Sequence, residues 1–342
     1  MAEQDLAGPR GRSIRVGLDV GGTKTDAVAV SADGEIMART RRPTGWGDDA
    51  VIASILESVS ALAAEGGFDA SAIGSVGVGI PGLIEPEAGR VLHAVNLGVE
   101  SLDIAARAGA VLRAPIAVEN DVKAAALGAA ALHGGSGSMA YLNLGTGVAA
   151  GIVSEGRIWR GARGTAGEVG HIGVDPAGRL CGCGQRGCIE TLCGGGALAR
   201  AWDRPGALPI RDIFDAADEG DPLAVTLRAD LARGTAAAVR VLVLSVDVET
   251  VVIGGGITAL GERLRSDVVD ALRREAEGSA FLRSLRLGER IELLPAGSPA
   301  AALGAALVGA SALGGVSSGS ASGSLSGADT PAVSEKEIAA HG

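Results

Sequence analysis

Apolar residues fall at two periods along this chain, and the change of period marks its elements. Short apolar runs at 14–20 and 27–30 flank Gly21, Gly22, Thr23, Lys24, Thr25 and Asp26, so a strand enters a glycine turn and leaves it as a second strand. Between 48 and 64 the apolar positions are 51, 52, 55, 56, 59 and 62, the stripe of an amphipathic helix with an acidic first turn, closed by Gly66 and Gly67. A buried strand at 72–80, a turn at 81–86 and an apolar run at 91–96 follow, with His93 expected to be packed. Residues 115–119 read as a strand and 122–132 as an alanine-rich helix. The hairpin form then returns about 125 residues after the first: 140–144, Gly145, Thr146, Gly147, 148–153. Helices at 189–201 and 222–244, a strand at 250–253 ending in Gly254, Gly255 and Gly256, a helix from Ala259, a strand at 291–294 and a helix at 299–313 complete the pattern. Strands alternating with helices predict an α/β protein, and the recurring hairpin predicts a duplicated half.

Composition narrows this picture. A length of 342 residues suffices for two domains with full cores. Aromatic residues are 2% of the chain, so those cores must be built from small aliphatics in closely packed layers. The net charge of −10 excludes a general affinity for nucleic acid or for anionic membrane. Residues 1–13 lack the apolar centre of a signal peptide, and no apolar run is long enough to span a bilayer, which predicts a cytoplasmic protein. Residues 314–342 are rich in serine and glycine and predict a disordered tail.

The chemistry concentrates in three places. His171, Cys181, Cys183 and Cys188 supply a Cys3His set, with glycines at 182, 184 and 187 that let the chain fold back on itself. Cys181 and Cys183, one residue apart, are poorly placed for a disulfide. Four protein ligands predict a closed, structural zinc site, with Cys193 left over as a packed thiol. Glu168 and Glu190 flank the set, and sugar hydroxyls are a natural destination for them. The two hairpin turns are the second place. Successive N–H groups in a glycine turn form a concave anion site, here for phosphate, and Asp19 at the strand end can hold Mg²⁺ through water. Neither turn matches the glycine patterns that open helices in nucleotide-binding loops. Two facing turns would grip a polyphosphate. The third place is Asn120 and Asp121, at the carboxyl end of a strand where ligands bind in open α/β sheets, or alternatively at the cap of the following helix.

The run Glu168, His171, Cys181, Cys183, Cys188, Glu190 resembles the signature of the ROK family, which groups bacterial sugar kinases with some sugar-responsive repressors, and the resemblance extends over about 14–313. It implies an actin-like (ribonuclease H-like) ATPase fold with a cleft between two domains: 14–122 with the last helix, 299–313, and 123–298. It implies transfer of phosphate from ATP to a hexose, glucose foremost, with N-acetylglucosamine, N-acetylmannosamine and fructose as alternatives. Asp121 becomes the general base. Gly82, Asn96, Asn120, Glu168, His171 and Glu190 become the sugar contacts. Asp19, Gly21, Gly22, Thr23 and Lys24 hold phosphate with Gly145, Thr146 and Gly147, while Gly254, Gly255 and Gly256 receive adenosine. A homodimer is also implied. Two positions depart from the family: Ala149 stands where glycine is commoner, and no tryptophan closely follows Asn96. The family's repressors carry a DNA-binding helix-turn-helix before the first phosphate turn; here thirteen residues precede Ile14. Because the cysteine loop is remote in sequence from both turns, loosening it is expected to impair sugar binding and spare ATP binding.

Overall fold

The structure, a computed structural model, describes residues 13–134, 137–206 and 208–314. The expectations for the tails 1–12 and 315–342 lie outside the described residues. The first half begins with β1 (Ile14–Val20) and β2 (Lys24–Val30), an antiparallel hairpin that sets Asp19 opposite Asp26. β3 (Ile36–Pro43) extends it, and α1 (Asp48–Gly66), stopped by Gly67 in the left-handed region, covers β2 and β3. β4 (Ile73–Ile80) pairs parallel to β1. The chain then forms a separate small sheet of β5 (Leu83–Glu85), β6 (Arg90–Ala94) and β7 (Val99–Asp103), followed by α2 (Ile104–Leu112). β8 (Ile116–Asn120) returns parallel to β4 and runs straight into α3 (Asp121–His133).

The second half repeats the plan. β9 (Met139–Leu144), β10 (Val148–Ser154) and β11 (Arg157–Ile158) form the antiparallel part. After a long loop come α4 (Ile189–Cys193), α5 (Gly195–Trp202), α6 (Pro209–Asp218) and α7 (Pro222–Val246). β12 (Thr250–Gly254) joins β9 in parallel, and α8 (Glu262–Ala276), α9 (Ala280–Ser284), β13 (Ile291–Leu293) and α10 (Ala300–Gly314) complete the fold. The sheet orders are β3-β2-β1-β4-β8 and β11-β10-β9-β12-β13, the same path twice, and each sheet has its own apolar core.

α10 packs at backbone distance on β1, β4 and α3, and α3 in turn packs on β9 and β10, so this helix pair lies between the two sheets. A Cβ at Gly77 of β4 would lie 1.7 Å from Ala305 O, and one at Gly304 of α10 would lie 1.7 Å from Ala124 O in α3. At these two positions the close crossing leaves no room even for a Cβ, so glycine is required by shape. Gly304→Val is expected to lose about 3 kcal/mol of stability by overpacking, read as a lower denaturation midpoint in urea.

Some expected elements differ. The helix over 189–201 is broken at Gly194, whose extended backbone separates α4 from α5. The helix after the triple glycine starts at Glu262, preceded by a 3-10 turn at Gly256–Leu260. His93 is exposed with φ of 54°, a left-handed residue inside β6 that is skipped in the pairing with β7 between Leu92 and Ala94.

Candidate active site

The carboxyl ends of β1 and β8 bring Asp19 and Asp121 into one cavity of about 420 Å³, lined also by Lys24, Tyr141, Gly255 and Gly256. The first turn is closed by the Gly21 N–H donating to Lys24 O (2.9 Å), which leaves Gly22 and Thr23 exposed at its tip. Asn96 lies against that tip, where a Cβ on Gly22 would meet Asn96 O at 2.8 Å. Burial pushes the Asp19 carboxyl up from 3.8 to about 7, helped by the negative charges of Asp121 and Asp26 and opposed by Lys24 and Arg41.

A pH dependence follows for Asp19. The native state holds a proton that the unfolded chain releases above 3.8, so this group's stabilising contribution is present at low pH and is lost as pH rises through about 7. A cation such as Mg²⁺, if held by the ionised form, would reverse that loss. The increase in melting temperature caused by Mg²⁺ should therefore grow between pH 6 and pH 8, and Asp19→Asn should remove that growth. Equal Mg²⁺ shifts at both pH values in the unmodified protein would refute the cation role.

Asp121 opens α3. Asn120 is the cap of that helix, its Oδ1 accepting from the N–H groups of Val122 (3.1 Å) and Lys123 (3.2 Å). That leaves its amide NH₂ as the group able to reach a ligand. The Asp121 carboxyl is raised, mainly by burial and further by the nearby charge of Glu168, while hydrogen bonds from backbone N–H groups oppose the rise. Asp121 thus shares a cavity with Asp19 and lies near enough to Glu168 to feel its charge.

The loop that carries Glu168 leads into the cysteine cluster. The ligand atoms of His171, Cys181, Cys183 and Cys188 lie within 4.8 Å of one another. Cys183 Sγ to Cys188 Sγ is 3.6 Å and Cys181 Sγ to His171 Nδ1 is 3.8 Å. A tetrahedron with zinc–sulfur bonds near 2.3 Å has S···S edges of about 3.8 Å, so the set fits zinc. Gly187 is required here by shape: at φ of 66° its Cβ would lie 1.6 Å from Asp175 O. Cys193 is fully buried outside the set, its thiol pushed up to about 12 by burial.

The loop also reaches the second glycine turn, Gly145 to Gly147. Glu190 Oε2 accepts from the Val148 N–H (3.0 Å), the Gly195 N–H donates to Gly145 O (2.8 Å) and the Gly196 N–H donates to Thr146 O (2.9 Å). The expected independence of loop and turn is thus corrected, because α4 and α5 hydrogen-bond directly to Gly145, Thr146 and the start of β10.

A second cavity, about 890 Å³, is lined by Gly145, Thr146, Gly195, Gly196, Arg211 and Arg263 and meets the first at Gly256 and Ala259. Gly254 lines neither; a Cβ there would strike the Tyr141 hydroxyl at 2.2 Å, so this glycine makes room for a side chain. Gly82, at φ of 120°, sits against β6 with its Cα facing Leu92 O.

Several lining residues escaped the sequence reading. Tyr141 and Asn143 alternate along β9 with the core residues Ala140, Leu142 and Leu144, so their period was visible, but not that their face was the cavity. Arg211 and Arg263 come from helices far apart in sequence and left no signal.

A model of the ROK family matches residues 15–310. The glucokinase of Halalkalibacterium halodurans is 32% identical over 292 residues, which cover 78% of this chain and 88% of that protein. Among solved structures, the ROK hexokinase from Thermus thermophilus gives a TM-score of 0.75 at 32% identity, over 88% of this chain and 99% of that chain. The ROK family glucokinase from Streptomyces griseus, in complex with glucose and AMPPNP, gives 0.71 at 29% identity, over 87% and 99% respectively.

Proposed function

Because the chain belongs to the ROK family, we propose that this ATP-dependent sugar kinase, of actin-like two-domain fold, is a glucokinase that phosphorylates the 6-hydroxyl of glucose. The observation that supports the assignment of roles is that Asp19, Lys24 and Asp121 line one cavity, with the charge of Glu168 reaching Asp121. Phosphoryl transfer needs positioned phosphates, a cation and a base near the attacking hydroxyl. Adenosine occupies the cavity beside Gly195, Gly196 and Gly256, and its phosphates run past Gly145, Thr146 and Gly147 toward Gly21, Gly22, Thr23 and Lys24.

Asp19 holds the cation that neutralises charge on the transferred group. Asp121 accepts the hydroxyl proton as the oxygen attacks, and its raised pKa makes it a better acceptor than an ordinary aspartate. Asn96, the Asn120 amide, Glu168 and Glu190 fix the remaining hydroxyls, with Gly82 lining the approach. His171 faces the sulfurs through Nδ1 and keeps its other ring nitrogen for sugar. The zinc, when bound, supplies no reactive position and holds the loop in shape.

Glucose rather than another hexose is favoured by the glucokinases among the relatives. Coupled ADP release across glucose, N-acetylglucosamine, N-acetylmannosamine, mannose and fructose tests this. The highest kcat/KM on glucose is the expected outcome, and a higher value on an N-acetylated sugar would overturn it.

A further inference from the structure

Glu119 precedes the catalytic turn and is 2% exposed, yet the chemistry above gives it no part. Its Oε1 accepts from the Asn120 N–H (3.0 Å), and its Oε2 receives both Nε (2.7 Å) and a terminal nitrogen (2.6 Å) of Arg160. Arg160 belongs to the other half of the chain, just beyond β11. A second bond crosses the same gap in the opposite sense. Lys123, 5% exposed in the first turn of α3, donates from Nζ to Gly164 O at 2.8 Å.

The segment these two side chains hold is the glycine-rich loop that ends in Glu168. Its flanks are fixed to β10, by the Trp159 N–H on Ile152 O (2.8 Å) and by the Ala150 N–H on Gly167 O (2.7 Å). Gly161 and Gly164 lie at positive φ between those points, where the chain has little stiffness of its own. A loop of this composition keeps one shape only if something holds its middle. A carboxylate buried this deeply would be costly without its guanidinium, so the pair is built in and is not an incidental surface contact.

We propose that Glu119, Arg160 and Lys123 are positioning residues. They form a crossed two-point tie that seats the sugar loop on the catalytic turn, so that Glu168 and Asp121 share one frame before the hexose arrives. The proposal rests on the roles given above to Asp121 and Glu168.

The test uses the full chain carrying Glu119→Gln, Arg160→Ala or Arg160→Lys, with melting curves to establish that each is folded. Two readouts are taken: sugar and ATP kinetics, and the rate of tryptic cleavage after Arg163, an exposed residue inside the loop. A loosened loop should be cut severalfold faster. A misplaced sugar contact should lower kcat/KM for sugar by about 10- to 100-fold, with KM for ATP little changed. Arg160→Lys, which keeps the charge, should recover part of both effects.

Unchanged cleavage in Glu119→Gln and Arg160→Ala would overturn the tie. Faster cleavage with unaltered sugar kinetics would overturn its coupling to catalysis. If the unmodified chain phosphorylates no hexose, the functional reading fails, and the digestion still decides whether the loop is tied. Should Glu119→Gln not fold, the two substitutions at the half-exposed Arg160 carry the test alone.

Discussion

Asp121→Asn should lose about 10²–10⁴ in kcat while KM for sugar changes little. The substitution keeps the size of the side chain, and the backbone N–H groups around it can still be satisfied by the amide oxygen. What disappears is the capacity to accept a proton. The cap of α3 is made by Asn120, so the helix does not depend on Asp121 and the variant should fold. Steady-state kinetics on the preferred hexose, with sugar affinity measured separately by titration, decide the matter. A variant with near-normal kcat would remove Asp121 from the role of base.

Cys183→Ser should raise KM for sugar steeply and KM for ATP by a smaller factor. Removing one thiolate weakens the metal and frees the loop, and ordering it again at each binding event costs roughly 1–2 kcal/mol for every backbone residue fixed. Glu168, His171 and Glu190 all ride on that loop, so sugar binding bears most of the effect. ATP binding is also reached, because Glu190 accepts from the Val148 N–H and α5 hydrogen-bonds to Gly145 and Thr146. Zinc content is measured with both constants. Cys193→Ser, at a thiol outside the ligand set, should keep its metal. Complete metal loss with an unchanged sugar KM would contradict the structural role of the loop, and an unchanged ATP KM would show that the bonds to the second turn survive its loosening.

Much of this site could be read from residue order because its parts are local. A cysteine set spaced at 181, 183 and 188 with glycines between is recognisable from a short stretch, and its side-chain atoms do converge with His171. The hairpins at Gly21 and Gly145 are short-range structures fixed by strand period and turn glycines, and their repetition predicted a duplicated plan that appears as two sheets of the same strand order. Asn120 illustrates a local ambiguity: cap and ligand were both open readings, and the structure shows the cap while leaving the amide nitrogen unused by it.

The sequence by itself determined the two hairpins, the strand that runs into α3 and the cysteine spacing, since these follow from neighbours a few residues apart. Only the tertiary structure decided how the motifs touch: Asp19 and Asp121 on one cavity, Glu190 on Val148 beside the second glycine turn, Arg160 on Glu119, Lys123 on Gly164, Tyr141 in the cavity. Those contacts arise where the two sheets meet through α3 and α10, which cross at backbone distance on glycine. Their geometry depends on backbone separation at that crossing, a quantity that no local pattern of residues encodes.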